Sequence, residues 1–183
     1  MDGFENQLFK VLIVDDEEGP RRAMQTLLST NKELTIQTAE SAFQALELLK
    51  ASPFDLVITD IRMPKMDGLE LLKEIKTLSP DTMVILMTGY GTLENAIDAI
   101  RGGAYDYLTK PFRLDEMTIM VEKGIDKLRI IRENRKILEE LRFIFEKVKK
   151  GIVERRGDEG SLLELLEDIK LRLSRLYIKH GPV

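Results

Sequence analysis

The chain has no cysteine, no tryptophan and a single histidine, His180, three residues from its end. The lack of cysteine excludes disulfides, thiolate metal sites and cysteine nucleophiles, and it fits a reducing cytoplasmic setting. No uninterrupted apolar run approaches the roughly 20 residues needed to cross a membrane. The opening Met1-Asp2-Gly3-Phe4-Glu5-Asn6 is acidic and has no apolar h-region, so no signal peptide is expected. A strong charge excess of either sign is also missing, since the 183 residues carry a net charge of only -4. That charge is unevenly spread. Residues 1–112 hold 11 Lys and Arg against 18 Asp and Glu, whereas residues 113–183 hold 17 against 14. Neither half has the positive excess of a dedicated nucleic-acid binder.

Against these absences stand three short apolar, β-branched runs that each end on charge. Val11-Leu12-Ile13-Val14 ends on Asp15-Asp16, and Leu56-Val57-Ile58-Thr59 on Asp60. Tyr105-Asp106-Tyr107-Leu108-Thr109 leads to Lys110-Pro111. Such runs read as strands buried on both faces of a parallel sheet. Their C-terminal ends gather at the edge where open α/β sheets bind ligands. Carboxylates gathered there repel by roughly 4 kcal/mol per pair at 4 Å and an effective dielectric of 20. A cation must offset that, and hard oxygen ligands point to Mg²⁺ at a phosphate site.

Hydrophobic residues make up 43% of the chain and charged residues 33%, enough for a packed core in a soluble protein. Strands are expected near 9–14, 35–39, 56–60, 82–88 and 105–108, with helices near 19–31, 41–51, 68–78 and 93–102. The second helix has Ala42, Ala45, Leu46 and Leu49 on one face and Ser41 as N-cap. This alternation predicts a parallel sheet covered by helices on both faces.

After Phe112 the pattern changes. No proline occurs from Arg113 to about Arg155. Ile131, Asn134, Leu138, Leu141, Phe145, Val148 and Ile152 recur in steps of three and four. That is a heptad seam about 33 Å long. Arg155-Arg156-Gly157-Asp158-Glu159-Gly160 breaks it, and Ser161 with Glu164 forms a capping box for a second helix. Leu162, Leu166, Ile169, Leu173 and Leu176 give that helix its own seam.

Taken singly, each charged residue has an ordinary reading as a cap, a turn or a solvated surface group. Their order and spacing do not. Asp15-Asp16, Asp60 followed by Met63-Pro64 and Gly68, Thr88 after an apolar strand, and Lys110-Pro111-Phe112 together resemble the receiver domain of two-component response regulators. The resemblance runs from residue 9 to about 128. It implies a flavodoxin-like (βα)5 doubly wound parallel sheet, strand order 2-1-3-4-5. It also implies Asp60 as nucleophile for a phosphoryl group from a sensor histidine kinase. Asp15, Asp16, Asp60 and the Arg62 carbonyl would hold Mg²⁺, and Lys110 would pair with a phosphoryl oxygen. Thr88 would move toward another oxygen as Tyr107 rotates inward, and Lys110-Pro111 would be cis. Arg62 and Tyr90 would flank the path of attacking water. The chain would catalyse only its own phosphorylation and dephosphorylation.

Met87-Thr88-Gly89-Tyr90-Gly91-Thr92 and the run Gly102–Phe112 resemble receivers of nitrogen-regulation-type, sigma-54-dependent activators, and Glu133-Asn134-Arg135 resembles their dimerising linker. This chain departs from them in containing no P-loop ATPase and no DNA-binding domain. The expected division is a receiver over 1–128 and an all-α, coiled-coil extension over 129–183, with helices near 129–155 and 162–179. The extension would form a homodimer or bind a downstream protein, with Asn134 setting register. Three alternatives stand beside this. The hairpin could pad its own receiver. Lys147, Lys149, Lys150, Arg155 and Arg156 could touch nucleic acid, although Glu146 and Glu154 dilute them. The chain could also relay its phosphoryl group to a separate histidine phosphotransfer protein, since His180 is terminal.

Overall fold

The computed structural model describes residues 8–89 and 100–154, with side chains through residue 147. Tyr90, residues 93–99 of the helix expected near 93–102, and the second extension helix lie outside the described residues. The elements are β1 (Phe9–Val14), α1 (Glu18–Leu28), β2 (Leu34–Ala39), α2 (Ala42–Ala51), β3 (Leu56–Asp60) and α3 (Gly68–Leu78). β4 (Met83–Thr88), β5 (Asp106–Thr109) and α4 (Leu114–Glu154) follow. Contacts divide the chain into two compact units, Met1–Leu128 and Arg129–Val183.

The five strands form one parallel sheet in the order β2-β1-β3-β4-β5, the flavodoxin-like order that the family resemblance implies. β3 and β4 are buried along their whole length, which explains why their sequences run apolar without alternating. Alternate residues of each strand feed two cores. Val11, Ile13, Ile58 and Ile85 pack with Met24 and Leu28 of α1 and with Met117, Val121 and Ile125 of α4. Leu12, Val14, Val57, Val84 and Leu86 pack with Ala42, Ala45 and Leu49 of α2 and Leu71, Leu72 and Ile75 of α3.

Register between β1 and β3 is clamped at their N-terminal ends. The Lys10 amide donates to the Asp55 carboxylate at 2.7 Å, and the Asp55 amide donates to the Lys10 carbonyl at 2.9 Å. Val14 then pairs with Thr59, so Asp15 and Asp60 leave the sheet side by side.

Helix ends follow local capping chemistry. Ser41 accepts from the Gln44 amide at 3.3 Å. Asp67 and Glu70 form a reciprocal capping box at the start of α3. α1 stops at Leu28, three residues short of the end read from periodicity. The Ser29 hydroxyl donates to the Gln25 carbonyl and the Thr30 hydroxyl to that of Leu27, which supplies the last carbonyls with partners and closes the helix.

The loop from β3 to α3 folds tightly under the sheet edge. Lys65 takes a left-handed φ of 72°, and the Gly68 amide returns to the Ile61 carbonyl at 2.8 Å. A Cβ on Gly68 would overlap the Asp60 carbonyl oxygen and lie 2.8 Å from the Ile61 Cα. Only glycine admits this approach.

α4 is a single helix of 41 residues. Its first part closes the core against β4 and β5, and the later part carries the heptad positions. Among the described residues no helix is long and apolar enough to cross a membrane.

Candidate functional site

The strands deliver their charged ends to one edge. Asp15 follows β1, Asp60 ends β3, Thr88 ends β4 and Lys110 follows β5. Thr88 pairs with Thr109, and the Lys110 amide donates to the Thr88 carbonyl at 2.6 Å. The Lys110-Pro111 bond is cis, as the resemblance implies.

The Lys110 ammonium sits between two carboxylates. It donates to Asp15 Oδ2 at 3.1 Å and to Asp60 Oδ2. The second oxygen of each carboxylate accepts a backbone amide two residues along. Glu17 donates to Asp15 at 2.9 Å and Arg62 to Asp60 at 3.1 Å. Asp15 is fully buried and the Asp60 side chain 11% exposed, while that of Lys110 keeps 25% of its surface open to solvent. Among the described residues no buried side-chain polar atom lacks a partner.

Burial alone lowers the Lys110 pKa, but hydrogen bonds and charge from Asp60 and Asp15 outweigh it and hold the ammonium above 10.5. The folded value therefore lies above the unfolded one. The stabilisation is complete below about pH 10.5 and is lost as pH rises through the folded value. Denaturation followed between pH 9 and 12 should show a step in the wild type that Lys110→Met lacks. Equal curves would show that Lys110 keeps its ordinary pKa.

The other expected site residues are placed as follows. Asp16 is exposed at the turn between β1 and α1. Thr88 is buried beside Lys110, and Tyr107 on the edge strand is 36% exposed. Asp15, Asp60 and Lys110 thus meet directly, whereas the Asp16 side chain makes no hydrogen bond or ion pair with them. Among the described residues no three acidic or histidine side chains converge as a metal cage. The Lys110 ammonium lies between the Asp15 and Asp60 carboxylates and offsets their charge.

Two residues of the site carry no distinctive signal in the sequence as functional groups. Arg21 Nη1 donates to the Asp15 carbonyl at 2.6 Å, although nothing in its spacing separates it from Arg22. Gly68 is recognisable as part of a motif, but its contact with the Asp60 backbone becomes visible only in three dimensions.

Chemically, the edge presents two carboxylates sharing one ammonium, a buried threonine and an exposed carboxylate. Comparison with known proteins shows the family. The family model described as the response regulator receiver domain matches residues 11–122. The C4-dicarboxylate transport transcriptional regulatory protein DctD of Rhizobium meliloti (strain 1021) is 41% identical over 127 residues, covering 69% of this chain and 27% of that protein. The regulatory protein AtoC of Escherichia coli (strain K12) is 42% identical over 116 residues, covering 63% of this chain and 25% of AtoC. The chain thus spans about a quarter of the length of the curated relatives it matches. A receiver domain protein from Clostridium thermocellum superposes with TM-score 0.63 at 35% identity, covering 68% of this chain and 99% of that one. The beryllofluoride-activated NtrC4 receiver domain dimer superposes with TM-score 0.61 at 32% identity, covering 65% of this chain and 98% of that one. Sheet order, site and family match converge: the chain belongs to the receiver-domain family of two-component response regulators.

Proposed function

We propose that this chain is a cytoplasmic phosphoacceptor whose Asp60 takes a phosphoryl group from a sensor histidine kinase, changing how its C-terminal helix binds a second copy. The observation that carries this reading is the Lys110 ammonium shared by the Asp15 and Asp60 carboxylates. A carboxylate oxygen of Asp60 attacks the phosphorus of a phosphohistidine in line. The P–O bond forms as the P–N bond breaks, and the imidazole leaves with the electron pair. The Lys110 ammonium turns from Asp60 to a phosphoryl oxygen, and the Thr88 hydroxyl donates to another. Transfer of this kind needs positioning and charge neutralisation more than covalent work by the protein. The chain acts as a catalyst only on its own phosphorylation and dephosphorylation.

Asp15, Asp16, Asp60 and the Arg62 carbonyl would hold Mg²⁺, the buried Asp15 and Asp60 and the exposed Asp16 being hard oxygen donors of the kind that ion takes. That ion binds through one or two carboxylates and keeps several waters, so it needs no complete protein cage. When bound, it supplies positive charge where the phosphoryl oxygens gather negative charge. An acyl phosphate adds roughly -1.5 to -2 charges beside Thr88 and Lys110. Thr88 and Tyr107 are the groups that read this charge.

A small acyl-phosphate donor with Mg²⁺ should add one phosphoryl group per chain, and Asp60→Asn should add none by intact mass. Stoichiometric labelling of Asp60→Asn would refute the assignment.

The output follows from the heptad positions of α4. Leu138 and Phe145 are about two-thirds exposed, and Ile131 and Leu141 about 40% exposed. A stripe of this size fits a helical partner. Replacing Leu138 and Leu141 by Asp should halve the molar mass of a dimer in light scattering. An unchanged mass would remove the heptad seam as the dimer contact.

A further inference from the structure

The turn between β1 and α1 holds Asp16 at its apex. Its side chain is exposed and makes no hydrogen bond among the described residues. The peptides on either side are both held. On the N-terminal side, the Asp15 carbonyl accepts Arg21 Nη1 at 2.6 Å. On the C-terminal side, the Glu17 amide donates to Asp15 Oδ1 at 2.9 Å. Because peptide units are planar, fixing the plane that enters a residue and the plane that leaves it fixes the backbone between them. Asp16 is therefore a free carboxylate on a restrained backbone.

We propose that Arg21 is a positioning residue for the Asp16 carboxylate, presetting it to receive a divalent cation. This rests on the reading of the site as a cation-dependent phosphoacceptor. Arg21 is well placed for the task. Its amide bonds the Glu17 carbonyl at 3.2 Å in the first turn of α1. Pro20 just before it restricts the backbone with its fixed φ. The charged donor makes a stronger bond to the carbonyl than a neutral one would. Asp15 has two roles here, since one oxygen takes Lys110 and the other closes the turn.

Charge alone predicts the opposite effect. A guanidinium near a divalent cation repels it, so its loss would tighten binding if only Coulomb forces mattered. Arg22 makes the test clean. It lies one residue away, carries the same charge and pairs with Glu18 at 2.7 Å on the open surface without touching the turn.

The experiment is calorimetric titration of the full chain with Mg²⁺ alone. Arg21→Gln should weaken binding about tenfold, the lower end for supporting partners of metal ligands. Arg22→Gln should stay within about twofold of the wild type, since an exposed charge acts weakly through water. Arg21→Lys, which keeps the charge and can offer one donor, should bind between the wild type and Arg21→Gln. It also decides the matter if Arg21→Gln does not fold. Binding by Arg21→Gln as tight as the wild type, or tighter, overturns the proposal. So does Arg21→Lys binding no better than Arg21→Gln. Asp16→Asn separates the two layers. If it binds Mg²⁺ as the wild type does, or if the wild type binds none, the metal-site reading fails and takes the Arg21 proposal with it.

Discussion

Lys110→Met is expected to lower the stability of the receiver by about 3 kcal/mol in the absence of divalent cations, and to slow phosphoryl uptake about a hundredfold. The ammonium is the one side-chain cation that Asp15 and Asp60 share among the described residues. Without it, each carboxylate keeps a single backbone amide, and Asp15 has no exposure to water. Breaking a buried ion pair from one side costs about 3–5 kcal/mol. The lower end applies because Asp60 and the Lys110 side chain are partly open to solvent. The effect on transfer has a separate cause, the loss of a fixed positive group facing the phosphoryl oxygens. Denaturant unfolding with and without Mg²⁺ distinguishes this from a general packing defect. The variant should gain more from Mg²⁺ than the wild type does, because a second cation refills the vacated charge. Equal gains would mean that Lys110 and the metal do not share the carboxylates.

Gly68→Ala should cost about 3 kcal/mol and lower the melting temperature by about 10 °C. Helix propensity alone predicts the reverse sign, since Ala in place of Gly usually stabilises a helix by up to about 1 kcal/mol. Here the added methyl meets the Asp60 carbonyl oxygen and the Ile61 Cα, and both are backbone. No flexible side chain is available to yield. Either α3 moves away with Leu71, Leu72 and Ile75, or the peptide after Asp60 rotates. The second outcome turns the carboxylate from Lys110, so uptake should fall along with stability. A melting temperature equal to or above that of the wild type would show that the loop relaxes freely.

The meeting of Asp15 and Asp60 was legible because strands buried on both faces must be apolar throughout, so the first charge after the apolar runs of β1 and β3 marks the sheet edge. Sheet order and the place of Lys110 came from the family resemblance instead, since β5 is a largely exposed edge strand and not the doubly buried one its sequence suggests. Ser41 was legible from pattern alone, being a hydroxyl placed just before an apolar periodicity. The end of α1 was not, because Ser29, Thr30 and Asn31 continue a polar stretch that does not register the side-chain bonds closing the helix. Arg21 escaped notice since its partner is a backbone carbonyl, which no side-chain pattern records. Asp15 and Asp16 look equivalent in one dimension. In the structure one is a buried anchor and the other an exposed carboxylate, a division set by which of them points into the sheet edge.

The reciprocal bonds between Lys10 and Asp55 have a genetic consequence. They lie at the start of β1 and β3, about 17 Å from Asp60 at the usual rise per strand residue. A slip of one residue there would send every side chain of β3 to the opposite face. A screen for silent regulators would then recover Asp55 alleles beside Asp60 alleles, although Asp55 touches nothing that reacts. Second-site suppressors of such alleles would map to the strand-pairing residues and not to the phosphorylation pocket.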